Sequence, residues 1–222
     1  MTTASDISPV GIRTRLATLL PVIPGWCSPE KADALVRIIL THRPSLCVEI
    51  GVFGGSSLIP QALALEALGQ GVIYGIDPWE NAAALEAMAD EANRSWWSGV
   101  NLETIYQGCK SLLVAQGLAS RCKLLRAKAE GIADVFLDGS IDLLHIDGNH
   151  SEELSVRDVC LYLPKVRPGG HIFFDDVTWT EGGVRTTGRA VAMALAECDH
   201  VEDVSDERSG SVCSVFRKRG GA

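Results

Sequence analysis

Two apolar runs of this 222-residue chain end in acid: Leu144-His145-Ile146 leads into Asp147-Gly148-Asn149-His150, and Ile172-Phe173-Phe174 leads into Asp175-Asp176. Carboxylates that end a buried run lose hydration, and like charges brought together repel, so such a group needs a counter-charge. A hard divalent cation with oxygen ligands, Mg²⁺ or Ca²⁺, supplies one. Protonation of one acid, or a guanidinium from Arg185 or Arg189, is the alternative. Asp147 and Asp175 are 28 residues apart, about the length of one strand–helix unit, which sets their runs side by side.

A second constellation lies upstream. Glu49-Ile50-Gly51-Val52-Phe53-Gly54-Gly55-Ser56-Ser57 passes from an apolar run through a glycine turn into a helical stretch. Such a turn lets a ligand approach the main chain more closely than a Cβ permits. The spacing is not the dinucleotide fingerprint, which counted from Gly51 needs glycine where Phe53 and Ser56 stand, so a pyrophosphate is disfavoured. A turn used only for packing is the plainer reading. Next, Tyr74-Gly75-Ile76-Asp77-Pro78-Trp79 puts a carboxylate directly after another run, 26 residues beyond Gly51. There it can accept hydrogen bonds from both hydroxyls of a ribose, or simply cap a helix. Ala127-Lys128-Ala129-Glu130 follows a third run, with charges that also suit a solvated helix start.

Glu49-x-Gly51-x-x-Gly54-Gly55 together with Asp77 resembles the cofactor motifs of class I S-adenosylmethionine-dependent methyltransferases. The resemblance implies that Gly51, Gly54, Ser56 and Ser57 pack under the methionine portion and that Glu49 meets its ammonium group. It also implies that Asp77, with Pro78 and Trp79, serves the ribose, that Lys128, Ala129 and Glu130 bracket the adenine, and that Asp147 touches the cofactor. Asp147-x-x-His150 followed by Asp175-Asp176 is similar to the metal site of the macrolide-sugar O-methyltransferases. The catechol-type enzymes match less well, because their lysine close after the first Asp and their Asn as last ligand are both absent. This likeness implies Asp147, Asp175 and Asp176 as Mg²⁺ (magnesium) ligands and His150 as the base. Asp147 as the base, or His150 as the partner of a carboxylate behind the ligands, are the alternatives.

The resemblance covers roughly residues 45–217. It implies methyl transfer to a hydroxyl of a small molecule, a sugar on a glycosylated natural product or a catechol-like diol. In-line displacement at a sulfonium needs alignment and a deprotonated nucleophile, and two hydroxyls on a divalent cation would make one of them more acidic. Three rivals stand beside it. They are a nucleotide-dependent oxidoreductase, against which the glycine spacing counts; a non-catalytic cofactor-binding protein of similar fold; and other metal chemistry, as a likeness to cephalosporin hydroxylases suggests.

These residues need a frame that gathers strand ends. Five apolar runs, at 46–50, 72–76, 123–126, 141–146 and 171–174, alternate with helical periodicity at 58–68, 82–92, 102–115 and 152–163. That alternation predicts a doubly wound α/β domain around a mostly parallel, seven-stranded, Rossmann-like sheet. The pieces at 201–204 and 211–216, around Arg208-Ser209-Gly210, are too close for a crossover and predict a C-terminal antiparallel hairpin. In such sheets ligands bind beyond the carboxyl ends of the strands, where the loops carrying Gly51, Asp77, Lys128, Asp147, His150, Asp175 and Asp176 stand. Ser28-Pro29-Glu30 opens a helix that ends before Pro44, and Ile12, Leu16, Leu19 and Leu20 mark a short amphipathic piece before it. The expected organisation is one domain over 1–222, with 1–44 as a helical arm or cover and 78–120 as a lid-like insertion. Trp79, Trp96, Trp97 and Trp179 are candidates to wall the cofactor or an apolar acceptor, and the glycine-rich loop 178–188 is one to close over it.

Composition narrows the partners. Hydrophobic residues make up 46% and charged ones 22%, as in ordinary globular proteins, and the net charge of −8 supplies no basic stripe for nucleic acid. No apolar run reaches 18 residues, and no signal peptide is evident, so neither a membrane span nor export is expected. Seven cysteines, an odd number without a Cys-x-x-Cys pair, read as reduced thiols in the cytoplasm. The apolar N-terminal piece offers a homodimer contact.

Overall fold

The apolar runs become strands because residues that stop them flank each one and helices cover the sheet on both faces. The computed structural model describes residues 8–206 and 209–220; residues 1–7 of the expected arm and Arg208 of the expected hairpin turn lie outside them. In chain order the elements are α1 (Pro9–Leu19), α2 (Pro29–His42), β1 (Leu46–Ile50), α3 (Leu58–Leu68), β2 (Val72–Asp77), α4 (Asn81–Ala84), α5 (Glu91–Gly99), α6 (Leu102–Ala115) and β3 (Cys122–Arg126). They continue with α7 (Ala129–Ile132), β4 (Ile141–Ile146), α8 (Glu152–Tyr162), β5 (Val166–Phe174), β6 (Thr180–Glu181), β7 (Val184–Arg185), α9 (Gly188–Glu197), β8 (Cys198–Ser205) and β9 (Val212–Lys218). The sheet has seven strands in the order β3-β2-β1-β4-β5-β9-β8. Its first five are parallel, while β9 runs antiparallel to both β5 and β8.

The order reverses between β1 and β4, so their outgoing loops diverge and leave a crevice at that point. Successive side chains of each strand feed two apolar layers. Cys47, Leu143 and Phe173 pack with Leu35, Ile39, Leu58 and Leu63 on one face. Val48, Leu144 and Phe174 pack with Val159, Tyr162, Ala190 and Val191 on the other. Leu35 and Ile39 are fully buried, so α2 is part of the first layer. In the 78–120 segment, α6 buries Leu102, Cys109 and Leu113, which leaves α4 and α5 at the rim.

The chain departs from the periodicity in three places. One helix was expected over 82–92, but α4 stops after one turn, Ala87 takes a left-handed conformation at φ +55°, and α5 starts afresh where the Asp90 carboxylate accepts the Asn93 N–H as a new cap. β5 starts at Val166, five residues earlier than its apolar run, with a register irregularity against β4 between Ile141 and Leu143. The glycine-rich loop contains a small hairpin, β6–β7, turning on Gly182-Gly183. All seven cysteines are free; Cys47, Cys109, Cys122, Cys198 and Cys213 are buried and Cys160 is exposed. Among the described residues no helix is long and apolar enough to cross a membrane.

Candidate active site

A cleft of about 820 Å³ opens over the carboxyl ends of β1, β2, β3, β4 and β5. Gly51, Ser56, Ser57, Asp77, Pro78, Lys128, Ala129, Glu130, Asp147, His150, Asp175 and Asp176 all line it. Three residues expected there do not. Glu49, Gly54 and Trp79 lie behind its wall, and each has a local reason.

Glu49 follows the strand alternation onto the α3 face and is fully buried. Its carboxylate accepts from Ser57 Oγ at 2.8 Å and from Gln61 Nε2, and it faces His145 Nδ1 at 3.2 Å. It therefore ties the glycine turn to α3 from beneath. Gly54 abuts the N-terminal segment, and a Cβ there would stand 2.2 Å from the Pro24 carbonyl oxygen. Trp79 is 2% exposed; its indole N–H donates to the Phe53 carbonyl at 2.8 Å and its ring packs on Tyr106. Gly51 does line the cleft, yet β4 already requires a glycine there. At φ +82° a Cβ would fall 1.9 Å from the Asp147 carbonyl oxygen.

Asp77 closes this half. Its Oδ2 accepts the Val52 and Phe53 N–H groups at 3.0 and 2.9 Å, and its Oδ1 accepts the Trp79 N–H at 2.7 Å. Burial raises its pKa against these three bonds, which lower it. Oδ1 keeps one acceptor position beyond its single protein bond. Lys128 and Glu130 are both paired, with Glu86 at 2.5 Å and with Arg157 at 3.2 Å respectively.

The acid cluster at the ends of β4 and β5 is arranged differently. His150 Nε2 lies 3.7 Å from Asp147 Oδ1 and 3.5 Å from Asp176 Oδ2, and its ring stacks on Trp179 at 5.0 Å. That nitrogen is buried without a hydrogen-bond partner. Asp147, His150 and Asp176 present ligand atoms within 4.8 Å of one another, as do His145, Asp147 and Asp175. Asp175 already has a counter-ion. Its Oδ1 accepts from Lys31 Nζ at 2.5 Å and from the Asp176 N–H at 2.8 Å. Lys31, 2% exposed, also donates to Ser211 Oγ at 2.9 Å, and that hydroxyl donates to Asp176 Oδ1.

The arginines that were the alternative counter-charge do not serve here. Arg185 donates to the Val177 carbonyl and Arg189 pairs at the surface with Glu152. The cation comes from α2 instead, and the sequence carries a signal for it. Lys31 stands four and eight residues before Leu35 and Ile39, a charge on the stripe that turns inward, with its phase set by the Ser28 cap.

Electrostatics follows from this arrangement. Burial alone would lower the Lys31 pKa, but the Asp175 charge and hydrogen bond outweigh it and hold the ammonium above the ordinary lysine value. Burial, helped by the Asp175 charge, pushes Asp147 up to about 6. Burial works against a charged His150, yet the nearby Asp147 and Asp176 carboxylates raise its pKa overall. Trp26, Phe53, Trp96 and Trp97 form a contiguous ring cluster on the cleft wall, with Trp26 stacked on Phe53 at 5.1 Å. Trp96, Trp97 and Trp179 were expected in such a wall; Trp26 and Phe53 were not.

Residues 48–177 match the protein family described as "Methyltransferase domain". No protein of curated function matches the sequence significantly. The fold is similar to that of the O-methyltransferase TomG from Streptomyces achromogenes in complex with S-adenosylmethionine, with TM-score 0.67 and 16% identity over 96% of this chain and 90% of that one. It is similar also to an O-methyltransferase from Bacillus cereus in complex with S-adenosylhomocysteine (TM-score 0.64, 16% identity, 93% and 90% covered). An S-adenosylhomocysteine-bound methyltransferase from Podospora anserina has TM-score 0.59 at 16% identity, with 99% and 89% covered.

Proposed function

The chain belongs to the methyltransferase-domain family, and on that premise we propose that it is an S-adenosylmethionine-dependent O-methyltransferase acting on a small-molecule hydroxyl held at a Mg²⁺ site. One observation carries the reading: a single cleft joins the glycine turn and Asp77 to the cluster of Asp147, His150 and Asp176. Gly51, Ser56 and Ser57 border the methionine end of the donor. Asp77 accepts from the ribose with its remaining Oδ1 position, and Pro78, Lys128, Ala129 and Glu130 border the base.

The acid cluster fits a divalent ion. Three carboxylates meet one ammonium; Asp175 is buried with it, Asp147 and Asp176 are half-buried, and a hard dication would balance the negative charge that remains. Asp147, Asp176 and the free Oδ2 of Asp175 would hold it. When bound, it would lower the pKa of the acceptor hydroxyl and fix two acceptor oxygens. His150 takes the hydroxyl proton on Nε2, the atom with no protein partner. Asp147 and Asp176 then stabilise the imidazolium, and Trp179 holds its ring plane. The acceptor oxygen attacks the methyl carbon as the carbon–sulfur bond breaks, leaving neutral S-adenosylhomocysteine.

The acceptor we favour is a sugar hydroxyl of a glycosylated natural product. A catechol-like diol is the second reading, supported by the ring cluster of Trp26, Phe53, Trp96 and Trp97, which suits a flat apolar face. The free thiols suit a reducing compartment such as the cytoplasm. Incubation with methyl-labelled S-adenosylmethionine and a panel of glycosides and diols tests the proposal. S-adenosylhomocysteine should form, EDTA should stop it, and Mg²⁺ should restore it. No transfer to any acceptor would overturn the activity; transfer indifferent to EDTA would overturn the cation.

A further inference from the structure

Asp158 is a buried acid for which the chemistry above has no use. It stands on α8 one turn before Tyr162, whose hydroxyl donates to the Ala129 carbonyl at 2.8 Å, and it lines the same cleft as Lys128, Ala129 and Glu130. The residue is 5% exposed, yet no described residue donates a hydrogen bond to its carboxyl group. The loop after β4 leaves it open to the cleft at Gly148, where a Cβ would come within 2.8 Å of Asp158 Oδ2. Its neighbour Arg157 is engaged elsewhere, with Glu130 at 3.2 Å and Glu86 at 4.0 Å. A buried, unbonded acid facing a ligand cavity is costly unless the ligand supplies the missing bonds.

The position of Asp158 indicates which part of a ligand it meets. The cleft runs from the acids at β4 and β5, past Asp77 at the end of β2, to Lys128–Glu130 after β3. A donor whose methyl group faces the acids and whose ribose meets Asp77 has its base at the far end, beside Ala129 and Asp158. This step rests on the S-adenosylmethionine reading above. We propose that Asp158 reads the amino edge of the adenine, its O–H donating to N1 while its C=O accepts from the N6 amino group.

The electrostatics supports a neutral acid. Burial pushes Asp158 up to about 7; Arg157 and His150 pull it down, Glu130 pushes it further up, and the Tyr162 hydroxyl lies on the same helix face. A protonated carboxyl group carries one donor and one acceptor, the complement of N1 and N6–H, and an asparagine amide carries the same pair.

Calorimetric titration with S-adenosylhomocysteine at pH 6 and 8.5 tests this on the wild type, Asp158→Asn and Asp158→Ala. The wild type should bind roughly tenfold more weakly at the higher pH, where the acid is ionised. Asp158→Asn should match the wild-type affinity of pH 6 at both values, and Asp158→Ala should lose roughly tenfold or more at pH 6. With wild type alone, adenosine should bind roughly tenfold better than purine riboside, which lacks the amino group. Equal binding of those two nucleosides, or the same pH fall in Asp158→Asn as in wild type, overturns the assignment while leaving the cofactor reading intact. Failure of the wild type to bind S-adenosylhomocysteine at all removes both.

Discussion

The two halves of the cleft treat their polar atoms in opposite ways. At the ends of β1 and β2, Glu49 and Asp77 are bonded by the protein itself, to Ser57, Gln61 and His145 in one case and to three main-chain N–H groups in the other. At the ends of β4 and β5, His150 Nε2 has no partner and three acids share one ammonium. The first half is a preorganised wall whose shape holds without ligand. The second retains charge and an unpaired nitrogen, which cost folding free energy and suit a site where a proton must move. Form and reactivity are therefore assigned to different strand ends of one sheet.

Four variants break or sharpen that contrast. The largest effect belongs to His150→Ala, which should slow methyl transfer by about 10²–10⁴-fold. Its urea midpoint should stay near wild type, since the lost Nε2 has no protein hydrogen bond; a large loss of stability would place His150 in the scaffold half. Lys31→Met should cost about 3–5 kcal/mol of folding stability, because Asp175 is left buried without its counter-charge. Adding Asp175→Asn should recover most of that loss, and a double variant as unstable as the single one would show that Lys31 acts through other contacts.

Glu49→Gln probes the opposite half. It should cost about 1–3 kcal/mol by denaturant unfolding, from the donors it leaves poorly matched, while turnover per folded molecule stays near wild type. A selective loss of cofactor affinity would instead return Glu49 to the cleft. The smallest effect separates pH-dependent folding from pH-dependent catalysis. His171 packs on His42 at 4.0 Å within β5, away from the cleft, and burial with the neighbouring His42, Arg217 and Arg167 lowers its pKa to about 4. The unfolded chain therefore binds more protons than the folded one between about pH 6.5 and 4. Melting temperature should fall as pH drops through that window, and His171→Phe should flatten the fall without changing the pH–rate profile.

Much of the fold could be read along the chain, because strands and helices announce themselves by period and by local chemistry. α3 and α6 occupy the stretches their apolar spacing marks out, and the Ser28 side chain caps α2 where Ser28-Pro29-Glu30 suggests. Asp90 shows the limit of period alone. A left-handed turn at Ala87 followed by a carboxylate bonding the Asn93 N–H divides a run of alanines and leucine into two helices.

The site was legible to a smaller degree, for a reason of distance. Residue types, their order, and their position at strand ends are properties of the sequence, and they suffice to bring Asp77, Asp147, His150, Asp175 and Asp176 to one cleft. Which atom bonds which is not. Lys31 meets Asp175 across 144 residues of chain, and Glu49 turns beneath the glycine loop, because helix phase and strand alternation aim them there. Hydrogen bonds and the pairing of buried charges depend on separations of a few tenths of an ångström, and only the packed tertiary structure sets those.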